Sequence, residues 1–218
     1  MKARHAKFYA VKEGRQKGIF LTWEECKEHT WRHQNAAFRA FPNREEAYAW
    51  LGDKPQAIDG SVCRIYTDGS HQRQSDYLGI GAWCLRDGTP YEYSAKVTRD
   101  LLDSYGVPKE SECSNPTAEF IAFAQILRKL SNRKLSVPIM FVCDYVGVKN
   151  WMEGTWKANE PHIVAILNSC KATLGTIDGK ITFEWVKGHS GNDGNNNADR
   201  LAGSHDEIDD FDDLVKLI

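Results

Sequence analysis

The run Val137-Pro138-Ile139-Met140-Phe141-Val142-Cys143 is apolar throughout, with no charged side chain. A strand with one wet face alternates apolar and polar residues, so an unbroken apolar run is read as a strand buried on both faces. Such a strand requires helices on both sides of its sheet. Pro116 to Leu130 supplies one, with Phe120, Phe123, Ile126, Leu127 and Leu130 on one face, Pro116 in its first turn and Asn115 as N-cap. Gly147 to Met152 reads as a short helix, Pro161 to Leu174 as a longer one and Asn195 to Ala202 as the last. The other strands fall at Arg64 to Ser70, Gly79 to Leu85, Pro90 to Val97 and Lys180 to Lys187, with a turn at Arg86-Asp87-Gly88-Thr89. The class is α/β, a five-stranded mixed sheet flanked by helices. Thr98 to Ser114 is polar and irregular and is expected to be a surface loop.

A separate small unit precedes this sheet. Lys7 to Val11, Ile19 to Leu21 and Ala37 to Phe41 read as three strands, with a Gly-bounded turn at Glu13 to Gly18. Thr22 and Glu25 form a capping box for a helix running to about His29, and Asn43 with Glu46 caps a second over Arg44 to Leu51. A three-stranded sheet with two helices is marginal in stability at this length, which suits a module carried on a larger partner. The Gly- and Pro-containing stretch 52–61 is the linker, residues 62–203 the second domain and 204–218 a tail.

Residues 1–51 carry ten Lys and Arg against six Glu, and the remainder 18 against 24 acids, so a net −2 hides a basic N-terminal unit suited to a polyanion. The six cysteines include no C-x-x-C pair, which argues against zinc and for reduced thiols. No apolar run reaches the length of a membrane span and the basic start lacks the apolar core of a signal peptide; an intracellular, cytoplasmic protein is expected.

Four acids stand where the fold does not need them. Asp68 ends the Arg64 to Ser70 strand, Glu119 sits in the first turn of the long apolar helix, Asp144 ends the buried strand, and Asp199 lies in Asn197-Ala198-Asp199-Arg200-Leu201-Ala202. Each has an ordinary reading: Asp68-Gly69 as a hairpin turn, Glu119 as a complement to the helix N-terminus, Asp144 as a helix cap, Asp199 as an ion-pair partner. Together they allow a sharper one. Two strand-end acids and a helix acid can meet at one sheet edge, where clustered carboxylates repel unless cations hold them. Oxygen ligands select hard ions such as Mg²⁺ or Mn²⁺. A pair of such ions about 4 Å apart clamps an in-line phosphodiester displacement.

The segments Tyr66-Thr67-Asp68-Gly69-Ser70, Thr117-Ala118-Glu119, Asp144 after its apolar strand, and Trp185-Val186-Lys187-Gly188-His189-Ser190-Gly191 leading to Asp199 resemble the type I ribonuclease H family over about Val62 to Gly203. The resemblance implies an endonuclease that cleaves the RNA strand of RNA–DNA hybrids with two Mg²⁺ or Mn²⁺ ions, giving 5′-phosphate and 3′-hydroxyl ends. It implies Asp68, Glu119, Asp144 and Asp199 as metal-binding catalytic carboxylates. It also implies His189 as the loop histidine of proton movement or product release, and Ser70 and Asn115 as contacts to the hybrid. The N-terminal unit is similar to the viroplasmin-type hybrid-binding domain over about Lys7 to Leu51. That likeness implies Tyr9, Trp23 and Phe38 against the sugar–base edge of the DNA strand, and Lys12, Arg15, Lys17 and Arg39 against phosphates or the RNA groove. Aromatic faces beside cations are what a duplex-edge binder needs. Phe8 and Phe41 are read as core. No obligate protein partner or membrane association is evident.

The chain departs from the family in places. His71 to Asp76 replaces a Gly/Pro/Asn-rich turn, Trp151 to Lys157 has tryptophans but few cations, Asn195-Asn196-Asn197 stands where an acid is common, and Ala40 replaces a second binding lysine. The acidic block His205 to Asp213 is expected to be solvated, with a nucleic-acid mimic as the lesser reading. A catalytically decayed hybrid binder and a DNA nuclease on the same fold are the rival readings. Retention of all four acids argues against the first, and cleavage of duplex DNA is the test of the second.

Overall fold

The computed structural model describes residues 8–15, 17–20, 23–42, 44–52, 62–71, 78–107, 115–188, 191–204 and 206–218. The linker 53–61, the proposed caps Thr22 and Asn43, most of the turn after Ser70 and His189 lie outside these residues. The chain forms two compact units, residues 1–59 with 189–193 and residues 60–188 with 194–218.

In the first unit, β1 (Phe8–Glu13), β2 (Gly18–Phe20) and β3 (Ala37–Phe41) form an antiparallel sheet of order β2-β1-β3, with α1 (Trp23–Thr30) and α2 (Arg44–Leu51) packed on it. Strand alternation gives the sheet two faces. Ala10, with its partner Ile19 and with Phe41, buries against Ala47 of α2. Tyr9, Val11 and Phe38 lie on the other face, where Val11 is fully buried and Trp23 of α1 meets Tyr9 and Phe38. Phe41 is core as expected, and Phe8 is partly buried against the same cluster.

The second unit runs β4 (Cys63–His71), β5 (Leu78–Arg86), β6 (Thr89–Val97), α3 (Arg99–Ser104), α4 (Asn115–Lys129), β7 (Ile139–Cys143), α5 (Val146–Glu153), α6 (Pro161–Leu174), β8 (Ile181–Trp185), α7 (Asp193–Ser204), β9 (Ile208–Asp209) and α8 (Phe211–Leu217). The sheet order is β8-β7-β4-β5-β6-β9, with β7 parallel to both β4 and β8 and the remaining pairs antiparallel. Asp87 and Gly88, both at positive φ, make the two-residue hairpin turn between β5 and β6. On one face α4 buries Phe120, Phe123 and Leu127 with β7 and α6; on the other, Ala198 and Leu201 of α7 pack on Tyr66, Trp83 and Val142. The apolar β7 is therefore covered on both sides, as its sequence demands.

Three expectations are corrected. The sheet has six strands, because β9 adds to the edge of β6, and the acidic tail is folded. Phe211, Leu214, Val215 and Ile218 of and beyond α8 are buried in the main core. Asp209 and Asp212 pair with Lys129 of α4 at 2.5 and 2.9 Å. Four apolar side chains at helical spacing outweigh the solvation of the acids between them. Within the expected loop 98–114, the segment Arg99–Ser104 is helical: Thr98 accepts the Leu101 N–H as N-cap and Leu102 is buried.

Candidate active site

Three carboxylates converge where the parallel pairing of β4 with β7 ends; Asp68 does not end its strand or make a turn with Gly69, because β4 continues to His71 against β5. Tyr66 of β4 is in register with Val142 of β7, so Asp68 and Asp144, each two residues further on, emerge side by side. Glu119 is the fifth residue of α4, just past the first turn in which the sequence placed it. One ligand oxygen from each of Asp68, Glu119 and Asp144 lies within 4.8 Å of the others. Asp199 of α7 joins through a hydrogen-bonding contact with Asp68.

Glycines make the convergence possible. Any Cβ on Gly69 would overlap the backbone of Ala118 and Glu119, so β4 and α4 touch main chain to main chain beside Asp68. Gly81, directly opposite Asp68 on β5, lies equally close to the Ala198 carbonyl and the Ala202 N–H, which seats α7 with Asp199 over the strand. A glycine inside a strand weakens it, and close approach of another backbone is a reason to have one there.

Asp68 is 5 % and Glu119 7 % exposed. Burial, then the negative charges of Asp144 and Asp199, push the Asp68 carboxyl up to about 7, against the lowering effect of a hydrogen bond from Glu119. Burial and the neighbouring Asp68 and Asp144 charges raise Glu119 well above the carboxylate range. Burial and like charge thus favour retention of protons within the Asp68–Glu119 pair, whose carboxyls interact by a hydrogen bond. Glu119 Oε2 is buried and finds no hydrogen-bond partner among the described residues. A buried oxygen without a donor, in a cluster of like charges, fits a cation that replaces the proton. Cys143 does not join the donor set: burial and Asp144 push its thiol up to about 12, and it donates to the Tyr145 carbonyl at 3.5 Å. The available ligands are oxygens, the set preferred by Mg²⁺ or Mn²⁺.

Asp144 is held by two hydrogen bonds from residues to which the sequence reading gave no role. Asn195 Nδ2 donates to Asp144 Oδ2 at 3.0 Å, and Trp185 Nε1 donates to its carbonyl at 2.9 Å. A Cβ on Gly188 would stand 2.6 Å from Oδ2. Asn195 was visible only as a residue replacing an acid; its lack of charge within a carboxylate cluster was the available signal. Ser70 is a half-buried residue of β4, and Asn115 opens α4, its side chain lying outside the described residues.

In the first unit Trp23 links the aromatic row, 5.9 Å from Tyr9 and 5.7 Å from Phe38. Trp23 is 41 % and Phe38 42 % exposed, while Tyr9 is half-buried. The expected cations do not form one patch. Lys12 lies over Trp50 of α2 and Arg39 over Phe41, both toward the α2 face. Arg15 Nη1 donates to the Glu28 carbonyl at the C-terminal end of α1, 2.6 Å away, and Lys17 pairs with Glu13 at 2.8 Å.

The chain matches two family models, the ribonuclease H1 N-terminal domain over residues 7–51 and RNase H over residues 61–206. It is 24 % identical to human ribonuclease H1 over 251 aligned positions, covering 89 % of this chain and 87 % of that protein. It is 31 % identical over 145 positions to ribonuclease H of Francisella philomiragia, covering 63 % of this chain and 86 % of the relative. Among solved structures, RNase H1 of the halophilic archaeon Halobacterium salinarum superposes with a TM-score of 0.50 at 18 % identity, over 66 % of this chain and 96 % of its own. LC11-RNase H1, solved in complex with an RNA/DNA hybrid, gives 0.50 at 19 % identity, over 65 % and 94 %. No helix among the described residues is long and apolar enough to cross a membrane.

Proposed function

Because the chain belongs to the ribonuclease H family, we propose that it hydrolyses the RNA strand of RNA–DNA hybrids at the carboxylate cluster, using two divalent ions and leaving 5′-phosphate and 3′-hydroxyl ends. The observation that carries the reading is the convergence of Asp68, Glu119 and Asp144 within 4.8 Å, with Asp199 against Asp68. Asp68, Glu119, Asp144 and Asp199 are the residues that hold the ions. The ions, when bound, supply the charge that activates water and steadies the leaving 3′-oxygen. The residues do the rest. Asp68 and Glu119, whose affinity for protons is raised by burial and like charge, would hold the ions as carboxylates once those protons are lost. Asn195 and Trp185 fix the Asp144 carboxylate and its main chain, so that ligand does not reorient between turnovers. His189 is assigned proton movement or product release, and the 2′-hydroxyl marks the strand to be cut.

The first unit is assigned to hybrid binding, through Tyr9, Trp23 and Phe38 on the DNA strand and Lys12, Arg15, Lys17 and Arg39 on phosphates or the RNA groove. Ser70 and Asn115 are assigned contacts to the hybrid in the catalytic unit. The match to the ribonuclease H1 N-terminal domain and the exposed Trp23–Phe38 pair support this. The test is cleavage of end-labelled RNA–DNA, duplex RNA and duplex DNA side by side in Mg²⁺ and in Mn²⁺. Selective cutting of the hybrid's RNA strand, dependent on added ion, is expected. Equal cutting of duplex DNA, or no cutting of any substrate, overturns the proposal.

A further inference from the structure

The aromatic row of the first unit does not stop at Trp23. Four residues along α1 is Lys27, and four further is Trp31, whose N–H bonds to the Lys27 carbonyl at 2.8 Å and so extends the helical turn past Thr30. Each four-residue step rotates by only about 40° and rises about 6 Å, so Trp23, Lys27 and Trp31 form one shallow stripe about 12 Å long. Cys26 and Thr30, the buried residues of α1, lie in the neighbouring row toward the sheet, and Glu24, Glu25, Glu28 and His29 take the rest of the circumference, His29 stacked on Phe20. Trp31 is 60 % exposed, above either Trp23 or Phe38, and Lys27 Nζ sits 5.2 Å from the centre of its ring. The indole supports no core, and the helix end does not need it.

A second cation reaches the same end. Arg15 donates to the carbonyl of Glu28, the residue after Lys27, and its own N–H bonds to the His29 carbonyl at 2.8 Å. The arrangement at Trp23, an exposed flat ring on the α1 side of the sheet, is therefore repeated about 12 Å along the helix, with Lys27 beside the ring and Arg15 bonded to the backbone of the same helix end. Trp31, Lys27 and Arg15 together offer what a sugar-phosphate chain needs, a π-face and positive charge at close quarters.

We propose that Trp31 and Lys27 form a second anchor for the same RNA–DNA duplex, lengthening the module's footprint along α1. The inference rests on the reading of the first unit as a hybrid binder. A stripe of about 12 Å corresponds to three or four base pairs of rise.

The test uses the full chain and a hybrid of 18 base pairs, with Kd measured at several salt concentrations for wild type, Trp31→Ala, Trp31→Phe, Lys27→Ala and Trp23→Ala. Trp31→Ala is expected to weaken binding about fivefold, with Trp31→Phe restoring most of the loss. Lys27→Ala is expected to lower the salt slope by about one. Because Trp31 is surface-exposed, loss of folding does not confound the result. If Trp23→Ala weakens binding and Trp31→Ala does not, the second anchor is wrong while the module's role stands. If neither changes Kd, the module's role falls as well. A Trp31→Ala variant that alters sedimentation but not Kd identifies the stripe as a protein contact and overturns the proposal.

Discussion

The two units place their functional groups in opposite ways. In the catalytic unit the key side chains are buried, of like charge and forced together by main-chain contact at Gly69 and Gly81. In the N-terminal unit they are aromatic or basic and, apart from the half-buried Tyr9, exposed, on a sheet and helix whose core is made by other residues. The first arrangement works against stability and calls for a ligand of opposite charge. The second costs little in the free protein and offers surface to a partner. A change in the first should therefore act on chemistry and on folding, and a change in the second on affinity alone.

The sharpest break in that contrast is Asp68→Asn. Cleavage of a labelled hybrid should fall by more than about 1,000-fold while gel-shift binding persists. Removing residues 1–51 should do the reverse, weakening hybrid affinity by roughly tenfold to a hundredfold while cleavage continues at high substrate concentration. Unchanged affinity over a range of salt would remove the module from binding. Asn195→Ala frees Asp144 Oδ2 from its donor. Calorimetric Mn²⁺ affinity should drop about tenfold, and an unaltered isotherm would relegate Asn195 to packing.

A smaller effect should appear in stability against pH. The Asp68 carboxyl is raised from 3.8 to about 7, so its protonated form is favoured by folding. That contribution is fully present below pH 4 and is lost as pH rises through about 7. In chelator, denaturant titrations should show the wild type losing about 1–2 kcal/mol more than Asp68→Asn between pH 5 and pH 8, after allowance for residual solvation of the cluster. Millimolar Mg²⁺ should remove most of that difference.

The strands, the long helix and the four carboxylates were legible because each is local: an apolar run ended by an acid, or an acid at a fixed place in a helix. The devices that join them were not, since Gly69 and Gly81 matter only through backbone that is distant in sequence. The split of Lys12 and Arg39 from the Trp23 row follows from strand alternation, which the positions of β1 and β3 already implied. The tail failed for a different reason. Phe211, Leu214, Val215 and Ile218 carry the spacing of an amphipathic helix, but the count of acids around them suggested a solvated segment. Only the partner Lys129 explains why those acids can lie against α4.

The central claim is that the buried carboxylate cluster is a divalent-cation site, and thermal unfolding against added Mg²⁺ or Mn²⁺ at pH 8 tests it without any substrate. The account predicts that the wild type gains stability steadily with ion concentration, in the manner of a ligand that binds only the folded state, and that Asp68→Asn loses most of that gain. An unfolding temperature independent of both ions, or an equal response in the two proteins, would contradict it.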